Sequence, residues 1–320
     1  NRLKFYYKAK SFLFELLKQI KCIREQGHNV PLKFYIYIFE KNFMPLQYII
    51  GLDMGTTSTK AIAFTQNGKV KSLYQSEYTT LHPQPGYSEQ DPDLILQAVI
   101  DCIREVVKGM KQAPAGISFS SAMHSVVAVN KNGKPITPLI TWADARSQQE
   151  ADAIKKSKAG NKIYYRSGTP IHPMSPLCKI KWIKKNQPEI FRKTYKFISI
   201  KEYVCYHFFG KYLIDYSIAS ATGLFDIEKK QWLAESLHAA GIKANHLSQP
   251  VSTTHIIKGL KKEFEKKLGI PKDTPFIIGA SDGCLANVGT NTLRKGHAAI
   301  TIGTSAAVRM IANRPVKDKK

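Results

Sequence analysis

The sequence predicts an α/β protein. Short apolar runs that read as buried strands, at 48–53, 59–64, 115–121 and 275–280, alternate with amphipathic stretches of helical period. A unit of apolar strand, glycine, hydroxyl residues and second apolar strand occurs twice, around Gly55-Thr56-Thr57 and around Gly303-Thr304-Ser305. The repetition fits a fold of two similarly built lobes. With 43% apolar side chains over 320 residues, the chain can bury a sizeable core, which excludes a disordered protein.

Residues 1–43 stand apart. They begin at Asn1, contain no Asp and a single glycine (Gly27), and are rich in Lys, Phe, Tyr and Ile. Segment 11–25 has the spacing of an amphipathic helix. We expect Met44 to be the native start, 1–43 to be a leader outside the domain, 44–296 to form one lobe and 297–320 to begin a second.

Charge and cysteine usage narrow the function classes. Lys and Arg outnumber Asp and Glu 48 to 24, a formal +24 that draws anions and permits loose nucleic-acid binding. The lysines are scattered and no nucleic-acid motif interleaves with them, so they read as solvated helix faces and no nucleic-acid partner is expected. Five cysteines, at 22, 102, 178, 205 and 284, form no Cys-x-x-Cys pair. That fits reduced thiols in a cytoplasmic protein and argues against structural zinc. No uncharged apolar run reaches about 18 residues, so no membrane span is read.

The body opens with a hairpin. Tyr48–Asp53 reads as a buried strand, 54–58 as a small-residue turn, and Thr59–Phe64 as the returning strand. Gln66-Asn67-Gly68-Lys69 closes it as a type I′ turn, and a third strand runs to about Tyr78. In the first turn, Gly55 lets backbone N–H groups approach an anion, while Thr56, Thr57 and Ser58 add hydroxyls. Asp53 can hold hydrated Mg²⁺ and Lys60 adds positive charge. A tight hairpin with a capping Asp is the plain alternative. Next, Asp91 is placed as an N-cap and Pro92 at the first position of an amphipathic helix, 92–110.

The middle of the chain supplies polar groups between strands. His124 lies between two strand segments, where a core histidine is the plain reading. Trp142 reads as core, and Asp144 as the N-cap of a helix starting near Arg146. Together they also suit a polyol pocket, which needs carboxylate acceptors, an imidazole and one flat apolar wall. Helices are expected over Pro176–Asn186, Pro188–Tyr195, Lys201–Phe209, Lys229–Ala240 and Ile257–Leu268, with Asp215 capping a short helix. The strand from Pro275 runs into Ser281-Asp282-Gly283, where Asp282 is either a cap or a general base.

Several of these strings resemble one family. Leu52-Asp53-Met54-Gly55-Thr56-Thr57-Ser58-Thr59-Lys60 is similar to the first phosphate motif of the FGGY carbohydrate kinases, within the actin/hexokinase/heat-shock ATPase superfamily. Glu89-Gln90-Asp91-Pro92, Met123-His124, Trp142-x-Asp144-x-Arg146, the Asp282 segment and Gly303-Thr304-Ser305 follow in the family's order. The resemblance implies a ribonuclease H-like (actin-like ATPase) lobe with a mixed central sheet flanked by helices, plus the first strands of a second such lobe. It implies ATP and Mg²⁺, with Asp282 as base and Asp53 and Asp282 near the metal. It implies phosphate contacts from Asp53, Gly55, Thr56, Thr57, Ser58, Lys60, Gly303, Thr304 and Ser305. Sugar contacts would come from Met123, His124, Trp142, Asp144 and Met174. In the Thr169–Pro176 segment, His172 and Met174 replace the side chains that touch substrate in glycerol-kinase members.

The strings around Met123 and Trp142 look closest to gluconokinase members, which implies D-gluconate as acceptor, with Lys179 a candidate partner for its carboxylate. Xylulose, another pentulose or glycerol are the alternatives within the family. An actin-like ATP-binding scaffold without enzymatic activity is the alternative outside it. A homodimer is a candidate assembly. Family members continue well over a hundred residues further, so this chain is expected to lack most of the second lobe and to be inactive alone.

Overall fold

The computed structural model describes residues 48–302 and 306–316. The expected leader, its helix over 11–25, and Gly303, Thr304 and Ser305 lie outside the described residues.

Six strands form the central sheet. They are β1 (Tyr48–Met54), β2 (Ser58–Thr65), β3 (Val70–Glu77), β4 (Gly116–Ser121), β5 (Ile256–Ile257) and β6 (Phe276–Ser281), in the spatial order β5-β6-β4-β1-β2-β3. β1, β4 and β6 run parallel, while β2, β3 and β5 are antiparallel to their neighbours. The sheet is therefore mixed, as the resemblance implies. Alternation along β2, with every second residue buried, shows why this segment folds as a strand with one face on the core.

Helix α1 (Pro92–Val107) covers that face. Asp91 accepts from the Asp93 N–H at 2.8 Å, Pro92 begins the helix, and Ile95, Val99, Cys102, Ile103 and Val106 are buried. They pack on Ile50, Leu52, Ala61 and Ala63 of the sheet and on Tyr203, Val204 and Phe208. A second cluster gathers α2 (Gln148–Lys156), α3 (Gly160–Ser167) and α4 (Pro176–Asn186) around Ile154, Ile163, Cys178 and Ile180. Between the two lies α5 (Ile200–Phe209), whose Ser199 and Glu202 form a reciprocal capping box. Last come α6 (Asp282–Gly289) and a separate hairpin, β7 (Ala298–Ile302) with β8 (Ala306–Met310). Ile300, Ile302, Val308 and Met310 are exposed on the hairpin. Among the described residues no helix is long and apolar enough to cross a membrane. Cys102, Cys178 and Cys205 are buried free thiols and Cys284 is an exposed one.

Three local expectations change. The first hairpin is not type I′: only Gly68 has positive φ, Gly68 N–H bonds Thr65 at 2.9 Å, and the β2–β3 register shifts, so a bulged three-residue turn closes it. Lys229–Ala240 is not one helix. Gln231–Trp232 pairs with Phe225–Asp226 as a ribbon, and helix begins only at Ala234. The Ile257–Leu268 helix is likewise confined to Lys262–Leu268, because Ile256–Ile257 joins the central sheet.

One glycine aims the site. Gly279 in β6 has φ +65°, and the β4–β6 register shifts between Ile277 and Ala280. A Cβ there would lie 1.8 Å from the Phe119 carbonyl oxygen, so only glycine fits. The bulge turns the strand end that carries Ser281 and Asp282. Gly279→Ala is expected to destabilise the fold by about 3 kcal/mol or more, read as a lower urea midpoint.

Candidate active site

The parallel strands β1, β4 and β6 end together, and that shared edge carries the polar groups. In an open α/β sheet, ligands bind outside the carboxyl ends of the strands. Asp53 is in register with Ser120, which is in register with Ala280. Asp53 and the strand leading to Asp282 therefore flank β4, about 10 Å apart between backbones. Ser120 Oγ donates to Asp53 Oδ1 at 2.6 Å and fixes that carboxylate. Lys60 is the cross-strand partner of Asp53, and both open onto one groove with Ser118, Ser120 and Leu285.

The turn after β1 has its carbonyls tied down. Gly55 O accepts from the Tyr78 hydroxyl at 2.6 Å, Thr56 O from Gln90 Nε2, Thr57 O from Tyr78 N–H at 3.1 Å, and Ser58 O from Gly55 N–H at 3.0 Å. Burial pushes the Tyr78 phenol up to about 12, so it stays a donor. No acceptor among the described residues takes the Thr56 or Thr57 N–H. A turn with bound carbonyls and free amides offers partial positive charge to an anion. Ser58 Oγ accepts from Gln75 at 3.1 Å and remains able to donate.

Asp282 is the first residue of α6, and Ser281, not Asp282, is the N-cap. Solvent reaches Asp282. Partial desolvation, reinforced by the negative charge of Asp53, holds its carboxyl above the usual range. Gly283 is in close contact with its surroundings: a Cβ there would lie 2.8 Å from Arg309 Nε and 3.1 Å from Met123 Cε. Met123 and Asp282 are thus brought together, and Arg309, which sequence reasoning missed, joins them.

His124 adopts φ +65°, an uncommon conformation for a non-glycine residue. Its Nδ1 lies 2.7 Å from Ala221 O, so Nδ1 carries the proton and Nε2 is left as an acceptor. Burial, with help from the charge of Lys179, lowers its pKa to about 4. Trp142 is half-buried, and its Nε1 donates to Thr56 Oγ1 at 2.9 Å, which links it to the phosphate-loop candidate. Met54, Gly55, Thr56, Gln90, Met123 and Trp142 help to wall one small, mainly apolar cavity.

Two expected sugar contacts are corrected. Asp144 is buried; its carboxylate accepts from Ser88 N–H at 2.7 Å, from Arg146 N–H at 3.1 Å, and from the Arg146 guanidinium at 2.7 and 2.9 Å. It caps no helix and has no face left for a ligand. Arg146 in turn bonds Glu89 at 2.6 Å and stacks 3.8 Å from the Tyr87 ring centre. Lys179 is fully buried and spends its three protons on His124 O at 2.8 Å, Thr141 O at 2.6 Å and Met174 O at 2.8 Å. It cannot bind a substrate carboxylate while holding them. Instead it pins the three segments that carry Met123-His124, Trp142 and Met174. Met174 itself is half-buried, and exposed His172 accepts from its N–H at 3.2 Å.

A second buried lysine was also missed. Lys201 Nζ donates to Asp215 Oδ2 at 2.7 Å and to Ala280 O at 3.0 Å. Asp215 accepts from Ser217 N–H at 3.0 Å, and Ser217 Oγ accepts from Ser281 N–H at 2.8 Å. This network supports the backbone just before Asp282. The available signal was a lysine on a helix that is otherwise apolar nearly all round, IKEYVCYHFF.

Residues 48–289 match the FGGY family of carbohydrate kinases, N-terminal domain. The chain is 47% identical over 274 residues to a gluconokinase of Bacillus subtilis (strain 168), covering 85% of this chain and 53% of that protein. A xylulose kinase of Staphylococcus xylosus is 28% identical over 269 residues, covering 84% of this chain and 56% of its own. Two solved structures from Lactobacillus acidophilus are similar at 36% identity. They are a gluconate kinase (TM-score 0.83) and a ligand-bound xylulose kinase (TM-score 0.82), each covering 86% of this chain and 56% of the other. The chain spans about half the length of the curated relatives it matches.

Two outcomes follow from this geometry. Lys179→Met leaves the His124 and Met174 carbonyls without a donor, while Thr141 O keeps the Asp144 N–H at 3.2 Å, and should lower stability by on the order of 3 kcal/mol in chemical denaturation. Between pH 4 and 6.5 the unfolded imidazole of His124 holds a proton that the folded one has released, so stability rises with pH across that window. His124→Gln should flatten that part of the stability–pH curve.

Proposed function

This chain belongs to the FGGY family of carbohydrate kinases, and on that premise we propose that it supplies the sugar- and phosphate-binding lobe of an ATP-dependent kinase. The acceptor proposed is a sugar acid, D-gluconate. The observation that carries the reading is the shared edge of β1, β4 and β6, where Asp53 and the strand leading to Asp282 flank Ser120 and the free amides of Thr56 and Thr57 follow β1. The 47% identity to a gluconokinase supports gluconate. The equal 36% identity to a gluconate kinase and a xylulose kinase of solved structure favours a ketopentose as the second reading.

In the reaction proposed, Asp282 accepts the proton of the attacking hydroxyl as the new P–O bond forms, the β–γ phosphoanhydride breaks, and ADP leaves. Phosphoryl transfer has a loose transition state, so the main work of Asp282 is to orient that hydroxyl in line. Its raised pKa suits a proton acceptor better than an ordinary aspartate. The Thr56 and Thr57 amides and the Thr56 hydroxyl receive phosphate oxygens, with Lys60 beside them. His124 offers Nε2 as an acceptor for a sugar hydroxyl, and Met123 gives an apolar wall against Gly283. Two carboxylates, Asp53 and Asp282, stand close enough for one to raise the pKa of the other. That fits Mg²⁺, which needs only one or two carboxylates and would neutralise phosphate charge. Gly303, Thr304 and Ser305 remain proposed as a second phosphate contact, in a second lobe beginning near residue 297.

Calorimetric titration of the chain with D-gluconate, D-xylulose and glycerol tests the acceptor. Gluconate should bind about tenfold more tightly than either of the others, and equal affinities would refute it. Asp282→Asn should leave sugar affinity within about twofold and cut phosphoryl transfer about 100-fold or more, measured on the full-length protein.

A further inference from the structure

Trp142 entered as a wall for the sugar, yet its one polar atom faces the other way. Its indole N–H donates to Thr56 Oγ1 at 2.9 Å. A threonine hydroxyl has one proton and two lone pairs. Once a lone pair is held by the indole, the proton is directed elsewhere, and no acceptor among the described residues takes it. The same residue has its carbonyl bound by Gln90, whose Nε2 also donates to Thr80 Oγ1 at 2.9 Å, so the backbone that carries the hydroxyl is held in place. Behind Trp142, Lys179 holds the Thr141 carbonyl at 2.6 Å, which fixes where the indole stands.

We infer that Trp142 is a positioning residue for the phosphate turn: it orients the Thr56 hydroxyl so that its proton points at a phosphoryl oxygen. The chain indole N–H to hydroxyl to anion runs in one direction, and each link polarises the next. The inference rests on the kinase reading for its ligand, a phosphoryl group, but not for its sugar. It also explains why one side chain borders a cavity shared by Met123 and the turn: a group seated against the indole ring and a phosphate on Thr56 would be sensed through the same bond.

The test uses tripolyphosphate in magnesium buffer, a probe that needs neither sugar nor adenosine. Trp142→Phe keeps the aromatic wall and removes the donor. It should bind tripolyphosphate about tenfold more weakly than the wild type. Thr56→Val should weaken binding as much or more, adding Trp142→Phe to it should cause little further loss, and Thr56→Ser should behave like the wild type. Tryptophan emission should shift on adding tripolyphosphate to the wild type and to Thr56→Ser, but not to Thr56→Val. Affinity of Trp142→Phe within twofold of the wild type would overturn the inference, as would a wild type that does not bind the probe. Failure of the sugar-kinase reading registers separately, as absence of any sugar binding with the tripolyphosphate results intact.

Discussion

A buried ammonium is tolerated when it is paired or hydrogen-bonded, and two such groups hold this site in shape: Lys179 with three acceptors and Lys201 with two. Lys179 gathers three carbonyls from three segments that are 124, 141 and 174 along the chain. Lys201 joins Asp215 to the carbonyl of Ala280, the second residue before Asp282. Neither side chain reaches solvent, so neither acts on a ligand directly. Their work is to convert loops, which would otherwise move independently, into fixed walls. Arg146 does the same with its guanidinium, shared between Asp144 and Glu89. Three charged residues of the middle segment are therefore framework, whereas the carboxylates of Asp53 and Asp282 are exposed.

Much of the fold was legible because local physics decided it. Short apolar runs marked β1 and β2, an Asp-Pro pair marked the start of α1, and Pro176–Asn186 was bounded correctly by its proline and asparagine. The order of Asp53, the Gly55 turn and Asp282 came from the family resemblance, since spacing alone left a capping role open for either carboxylate. What was not legible depends on partners distant in sequence. Whether Asp144 faces a ligand or an arginine is decided by Ser88, 56 residues away. Lys179 and an exposed lysine look alike until three distant carbonyls converge on one of them. The 229–240 segment misled because its helical pattern is interrupted by Trp232, which packs edge-on against Phe225 and joins a short ribbon instead.

The turn after β1 shows how a binding surface arises without charged side chains. Four carbonyls are satisfied from behind, by Tyr78, Gln90 and the turn itself. The Gly55 amide is spent on Ser58 O, and among the described residues those of Thr56 and Thr57 are left free. An anion seated there would complete a set of bonds that the fold leaves open. The donors that satisfy the carbonyls come from β3's end and from the segment before α1, so the shape of the turn is inherited from the sheet.

The hairpin of β7 and β8 has two unlike faces. Its inner side places Arg309 against Gly283, one residue from Asp282, and the Arg309 carbonyl receives Asn287 of α6 at 3.4 Å. Its outer side shows Ile300, Ile302, Val308 and Met310 to solvent. The two faces follow from the pleat, which turns successive residues of β8 to solvent and toward α6 in alternation. The strand that brings a guanidinium close enough to lower the pKa of Asp282 therefore has its opposite face open to solvent.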